Sequence, residues 1–159
     1  MRILSLPFLH GLSGLAPLFL RIGVGVVMAL HGWTKWTQGQ EGWLKGEMLV
    51  KLGLPYPEIL AWVVLVTELV GGILIVLGLL TRIWAIGMAI EMIVVLVMVE
   101  GKGFPFLTPE GRVWAGELEW LLLFGALALL FLGPGKASLD ALLRIERDAP
   151  AARFVGRRS

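Results

Sequence analysis

At 159 residues, 57% of them hydrophobic and 16% charged, with a mean hydropathy of +0.84, the chain is too apolar for a soluble domain of its size. Its net charge of +2 is spread thinly, with no basic run interleaved with aromatics, so nucleic acid is excluded as the expected partner and the basic balance reads as a membrane-orientation signal. The absence of cysteine excludes a disulfide framework, a thiol nucleophile, an iron–sulfur cluster and a CxxC pair within the chain itself, which leaves any redox chemistry to a bound cofactor.

Residues 1–14 carry one basic residue, Arg2, and a short apolar run broken by Pro7 and His10, without a small-x-small cleavage site. They are expected to be retained as an interfacial segment. The first span is predicted over 15–36, with Pro17 in the first turn, where its missing N–H removes a bond the helix could not make. The segment from Gln38 to Tyr56 has the length and pattern of a short amphipathic helix on the outer surface. The second span, 59–80, is a nearly unbroken apolar run of bilayer length with one carboxylate, Glu68, at its centre. Left charged and facing lipid, Glu68 would cost about 3 kcal/mol to insert, so it is expected to face protein or water. Gly78, Thr81 and Arg82 turn the chain sharply into a third span, 83–99. Gly103, Pro105, Pro109 and Gly111 then mark an irregular loop before a fourth span, 114–132.

After Gly133-Pro134-Gly135 the character changes, and residues 136–159 form a polar, basic tail with a short helix predicted over 138–147, capped by Ser138. The expected fold is therefore all-α: an integral membrane four-helix bundle over 15–135 with a short outer amphipathic segment and a cytoplasmic C-terminal helix and tail. With both termini cytoplasmic, nine basic side chains fall inside and five outside, and most tryptophans gather at the outer interface. That places the protein in the cell membrane as a multi-pass chain in contact with the lipid bilayer. The complete lack of Asn, with only Gln38 and Gln40 as side-chain amides, fits a thermophile, although a GC-rich genome gives the same bias.

Arg21, Met28, His31 and Lys35 recur at helical spacing in the first span and share a stripe expected to face inward. Glu68, Glu91, Glu117 and Glu119 add carboxylates to the outer half of the bundle. A carboxyl there can exchange a proton while an imidazole accepts or relays it, which makes His31 and Glu68 the candidate catalytic pair. His31 as an ordinary packed interior histidine is the plain alternative. Lys35, Glu91 and Glu117 are candidate ligand-binding residues; lysine snorkelling to headgroups and interhelical bonding of the glutamates are the structural alternatives. Gly71 and Gly72 remove bulk beside Glu68 and could make room for a ligand, although helix packing explains them as well. Glu117 and Glu119 lie about 200° apart around a helix, so only one can point at a given centre. Arg21 and Asp140 are expected at a common depth on the inner side, where an ion pair between them, or headgroup binding by Arg21, is the structural expectation. His10 and His31 are the only histidines, so no metal or haem is predicted.

Arg21, His31-Gly32 and Lys35, then Glu68, Gly71-Gly72, Gly78 and Thr81-Arg82, then Gly133-Pro134-Gly135 leading to Ser138-Leu139-Asp140, together resemble the DoxX family, which includes the DoxD-like subunits. The resemblance runs from the first span to just beyond the fourth. It implies a redox-associated membrane bundle, and in DoxD-like relatives thiosulfate oxidation coupled to quinone reduction. The expectation is thus a membrane subunit of a quinone-linked oxidoreductase, possessing a quinone site in its outer half and working with a soluble redox partner subunit or as a homo-oligomer. A non-catalytic scaffold for a redox complex and a small proton-coupled carrier are the alternatives; four spans without inverted repeats argue against the carrier.

Overall fold

The computed structural model describes residues 12, 14–37, 47–98 and 116–145. Every regular element among them is helical. In chain order these are α1 (Ala16–Thr37), α2 (Glu47–Lys51), α3 (Pro57–Leu77), α4 (Thr81–Met98), α5 (Glu117–Leu132) and α6 (Leu139–Leu142). Three of them, α1, α3 and α4, are long and apolar enough to cross a membrane. The expected spans match these helices to within a few residues at each end. The N-terminal segment before Leu12, most of the outer segment, the 101–113 loop and the tail beyond Ile145 lie outside the described residues.

Local chemistry sets the boundaries. α1 opens with Pro17 in its first turn, and α3 opens with Pro57 at its first position, where a missing N–H costs nothing. α3 closes at Gly78, whose φ of 72° is left-handed, and the Leu79 N–H returns to the Leu74 carbonyl at 2.9 Å. The same closure ends α2, where Gly53 has φ 73° and the Leu54 N–H donates to the Leu49 carbonyl at 3.1 Å. α2 lies within the segment expected to carry the outer helix, and it packs against α3.

Neighbouring helices pack in a consistent order. α1 lies along α3, α3 meets α4, α4 lies along α5, and α5 returns to touch α1. The shared core consists of Val24 and Met28 from α1, Ile75 from α3, Ala85, Met88, Ala89 and Met92 from α4, and Leu122, Leu123, Ala126 and Leu129 from α5. Outward positions such as Phe19, Ile73, Ile83 and Phe131 are exposed and apolar, as a hydrocarbon surroundings requires.

α1 and α3 approach backbone to backbone. A Cβ on Gly25 would lie 2.7 Å from the Gly72 carbonyl oxygen, and one on Gly72 would lie 2.8 Å from the Gly25 oxygen. Gly32 sits likewise on the backbone of Leu69. Small residues permit such crossings, where dispersion and interhelical contact replace the hydrophobic drive that lipid cannot supply.

The end at which α3 turns into α4, expected from the sequence to be the inner one, is closed by the segment following α5. The Asp140 carboxylate accepts from the N–H groups of Leu80 (2.8 Å) and Thr81 (3.1 Å), capping α4 from outside its own chain segment, while the Asp140 N–H donates to the Gly78 carbonyl at 2.9 Å. Buried Arg21 donates to the Ala137 carbonyl, with Asp140 close enough to act on it electrostatically. The expected Arg21–Asp140 ion pair is therefore corrected: both Asp140 oxygens are engaged by backbone donors, and Arg21 binds the neighbouring turn. The predicted helix over 138–147 is also shorter than expected. Ser138 does cap it, accepting from the Ala141 N–H at 3.1 Å, but Arg144 adopts φ 56° and the Ile145 N–H closes onto the Asp140 carbonyl at 2.9 Å.

Asp140→Ala removes the acceptor for two backbone donors, at about 1.5–3 kcal/mol for each charged hydrogen bond lost. The thermal unfolding midpoint of the protein in mild detergent is expected to fall by several degrees, with Asp140→Asn falling less. A midpoint unchanged in Asp140→Ala would show that the cap contributes nothing.

Candidate functional site

The site is built where α1 crosses α3. Between its two α-helical parts, α3 contains a π-helical turn, Thr67–Gly71, and Glu68 lies in it with 4% of its surface exposed. Such turns insert an extra residue into a helix and recur at functional positions. Here the turn is followed directly by Gly72, on which α1 rests. Because the glycine contacts hold the two backbones together, Lys35 in the last turn of α1 reaches Glu68, and its Nζ donates to Glu68 Oε1. The pair is the one salt bridge between described residues.

Glu91, in the middle of α4, brings a second carboxyl close enough to interact electrostatically with Glu68 and Lys35. Glu68 Oε2 and Glu91 Oε2 are both buried without a partner among the described residues. The Glu68 carboxylate is thus engaged at Oε1 and open at Oε2. Glu119, near the start of α5, has a third buried and unpartnered carboxyl oxygen, whereas Glu117 is exposed. The alternative left by their 200° separation is decided in favour of Glu119, and Glu117 is not among the buried carboxyls.

His31 is placed differently from the expected proton partner. It lies on an exposed part of α1, and its Nδ1 is 2.8 Å from the Val27 carbonyl oxygen. A carbonyl only accepts, so Nδ1 carries the hydrogen, and the neutral ring keeps Nε2 as an acceptor. His31 therefore makes no bond to Glu68; it stands one turn before Lys35 on the same helix. Gly71 and Gly72 serve packing in this structure: Gly72 meets α1, and the six-membered ring of Trp84 covers Gly71, with Cε3 only 2.6 Å from where a Cβ would be. Together, then, the fold gathers Lys35, Glu68 and Glu91, leaves His31 apart, and exposes Glu117.

Trp84 is a residue of this region that the sequence does not single out. It is half-buried, with an indole N–H that has no partner among the described residues, and no local pattern around it reveals its contact with Gly71 across the helices. No group of three or more His, Cys, Asp or Glu side chains suited to a metal occurs among the described residues.

The sequence profile of the DoxX family matches residues 16–101, which include α1, α3 and α4 and hence Lys35, Glu68 and Glu91. CatD of Bacillus subtilis, whose name assigns it provisionally to the oxidoreductases, is 33% identical over 123 residues, covering 77% of this chain and 83% of CatD. The membrane protein Rv3486 of Mycobacterium tuberculosis, itself uncharacterized, is 31% identical over 151 residues, or 91% of each chain. No solved structure matches the chain.

Removing one partner of a buried ion pair leaves a bare charge, at about 3–5 kcal/mol, whereas replacing both by apolar groups is often neutral. Lys35→Met is accordingly expected to lower the thermal midpoint in detergent clearly, and Lys35→Met with Glu68→Leu to recover most of the loss. Additive losses in the double variant would mean that the two side chains are not coupled.

Proposed function

This chain belongs to the DoxX family, and we propose that within it the protein is the membrane subunit of a quinone-linked oxidoreductase, exchanging protons with a quinone at the Lys35–Glu68–Glu91 centre. The observation that carries this reading is the buried Glu68 carboxylate on Lys35, with the Glu91 carboxyl beside it on the next helix, in segments otherwise suited to hydrocarbon and with an oxygen of each left unpartnered among the described residues. Such a group is costly to bury and marks a working position in a membrane protein more often than a structural one. The name of CatD points the same way for a relative.

The fit to a quinone rests on donor and acceptor chemistry. A reduced quinone ring offers hydroxyl donors, and the open Oε2 atoms of Glu68 and Glu91 are buried acceptors. When bound, the quinone supplies the two-electron, two-proton couple. The chain's own part is to hold and move protons. Lys35 balances one carboxylate, and one proton taken up between Glu68 and Glu91 makes the trio neutral, the charge state the hydrocarbon favours. Release of that proton restores a net negative charge next to the ligand. Glu119, one helix away, is placed to extend the path toward the outer surface.

The electron donor is a partner subunit, since this chain has no cysteine to carry a cluster or a redox disulfide. In this reading α5 is the fourth span, the four helices form the bundle, and both termini are cytoplasmic, so that the carboxyl centre lies in the outer half of the cell membrane. The C-terminal segment, held to the inner end by Asp140, is where a soluble subunit docks. Thiosulfate, oxidised by DoxD-like relatives, is one candidate source of electrons.

Decylubiquinol, kept reduced and titrated into the detergent-solubilised protein, is expected to quench tryptophan fluorescence saturably. Glu68→Gln should raise its Kd by about tenfold or more, roughly the 1.4 kcal/mol of one lost polar contact, while Arg82→Gln, on the far end of α4, leaves it unchanged. Equal Kd values for wild type and Glu68→Gln, both folded, would remove the quinone reading from this centre.

A further inference from the structure

The contact between α1 and α5 is looser than those of the other adjoining long helices, and it leaves an apolar groove. The groove has a volume of about 690 Å³, within the range of ligand pockets. Leu20, Gly23, Val24 and Val27 form one wall, and Leu122 and Gly125 belong to the other. At its floor the helices touch: a Cβ on Gly125 would stand 2.6 Å from Val24 Cγ2. Beside that floor the space is open, since a Cβ on Gly23 would meet nothing within 4 Å. From Ala16 to Val27 the wall runs about 16 Å along α1.

The groove does not end in more hydrocarbon surface. Val27, His31 and Lys35 follow one another at intervals of four residues, so they lie on one face of α1 as successive steps. The last apolar residue of the wall is followed by an imidazole, and the imidazole by the lysine of the ion pair. The two are joined physically, because the Val27 carbonyl is the group that fixes the His31 ring. With Nδ1 donating there, Nε2 is left as an acceptor at the outer end of the groove.

We propose that this groove is the lateral entry and tail site of the ligand: a linear apolar chain lies between α1 and α5, and its hydroxyl-bearing ring is received by His31 Nε2 before reaching the Lys35–Glu68 pair. The inference rests on the quinone-linked reading and deepens it, by assigning the tail, the route from the bilayer and a role for His31 that its separation from Glu68 otherwise leaves open. The occupant is an amphipathic molecule, not a bulk lipid chain, because a groove that leads into an acceptor and an ion pair favours a molecule with a polar donor at one end. A phospholipid acyl chain needs no such ending.

The test compares decylubiquinol with its tail-less ring, 2,3-dimethoxy-5-methyl-1,4-hydroquinone, both kept reduced, on wild type, Gly23→Phe and Val26→Phe. A Cβ on Gly23 meets nothing within 4 Å, so Gly23→Phe puts its bulk into the groove, and Val26→Phe adds the same bulk on an exposed face of α1. The expected result is that Gly23→Phe weakens decylubiquinol by about fivefold or more and leaves the tail-less ring within about twofold, while Val26→Phe affects neither. His31→Gln should weaken both rings in an otherwise folded protein. Decylubiquinol binding that is indifferent to Gly23→Phe overturns the tail site while sparing the carboxyl centre; so does equal weakening of both compounds. Failure of wild type to bind either compound overturns the functional reading along with it. A change from dimer to monomer mass in Gly23→Phe would assign the groove to a second copy of the chain and also overturn the proposal.

Discussion

The close crossing of α1 and α3 is the constraint from which the candidate site follows. Lipid offers no hydrophobic drive to bring two apolar helices together, so the contact depends on backbones approaching over Gly25, Gly32 and Gly72. Any larger side chain at these positions would meet backbone at less than normal contact distance and push the helices apart. The same crossing puts the end of α1 at the depth of the π-turn in α3, and only at that separation does Lys35 span the gap to Glu68. A buried carboxylate in hydrocarbon requires such a partner. Packing and electrostatics are thus one arrangement, in which Lys35 engages one oxygen of Glu68 and the other oxygen has no partner among the described residues.

The inner end is held by polar contacts of another kind. Asp140 caps α4, its own N–H binds the Gly78 carbonyl, and Arg21 reaches the Ala137 carbonyl from α1. Gly78 has to be glycine twice over: its φ is left-handed, and Arg21 and Ser138 fill the place of its side chain. Residues distant in sequence therefore converge on one turn. These contacts fasten the turn between α3 and α4 both to α1 and to the segment after α5.

Much of the fold is legible in the sequence because hydrocarbon imposes a simple rule. Long apolar runs must be helices, and Pro17, Pro57, Gly78 and Gly133 stand near their ends. The prominence of Glu68 follows from the same rule, as does its need to face protein or water. Other features are hidden for definite reasons. Helical periodicity puts His31 and Lys35 on one stripe, but a stripe some 100° wide includes both a side chain directed at α3 and one left on an open face. The π-turn changes the phase of α3 in the middle of the second span, and no local residue pattern announces it. Glycines beside a carboxylate look alike whether they admit a ligand or a neighbouring helix; only the positions of Ala29 and Trp84 distinguish the two. Asp140 resembles a partner for Arg21 by depth and charge, yet backbone donors at the start of α4 compete for the same oxygens.

In the proposed function, the carboxyls of Glu68 and Glu91, the balancing Lys35 and the apolar groove beside α1 form a site for a small amphipathic molecule. The most direct measurement is mass spectrometry of small molecules released from protein purified in mild detergent, comparing wild type with Glu68→Gln against the lipid background of the same membranes. Quinone enriched with wild type and lost with Glu68→Gln is the predicted result. No enrichment of quinone with folded wild-type protein would contradict the account.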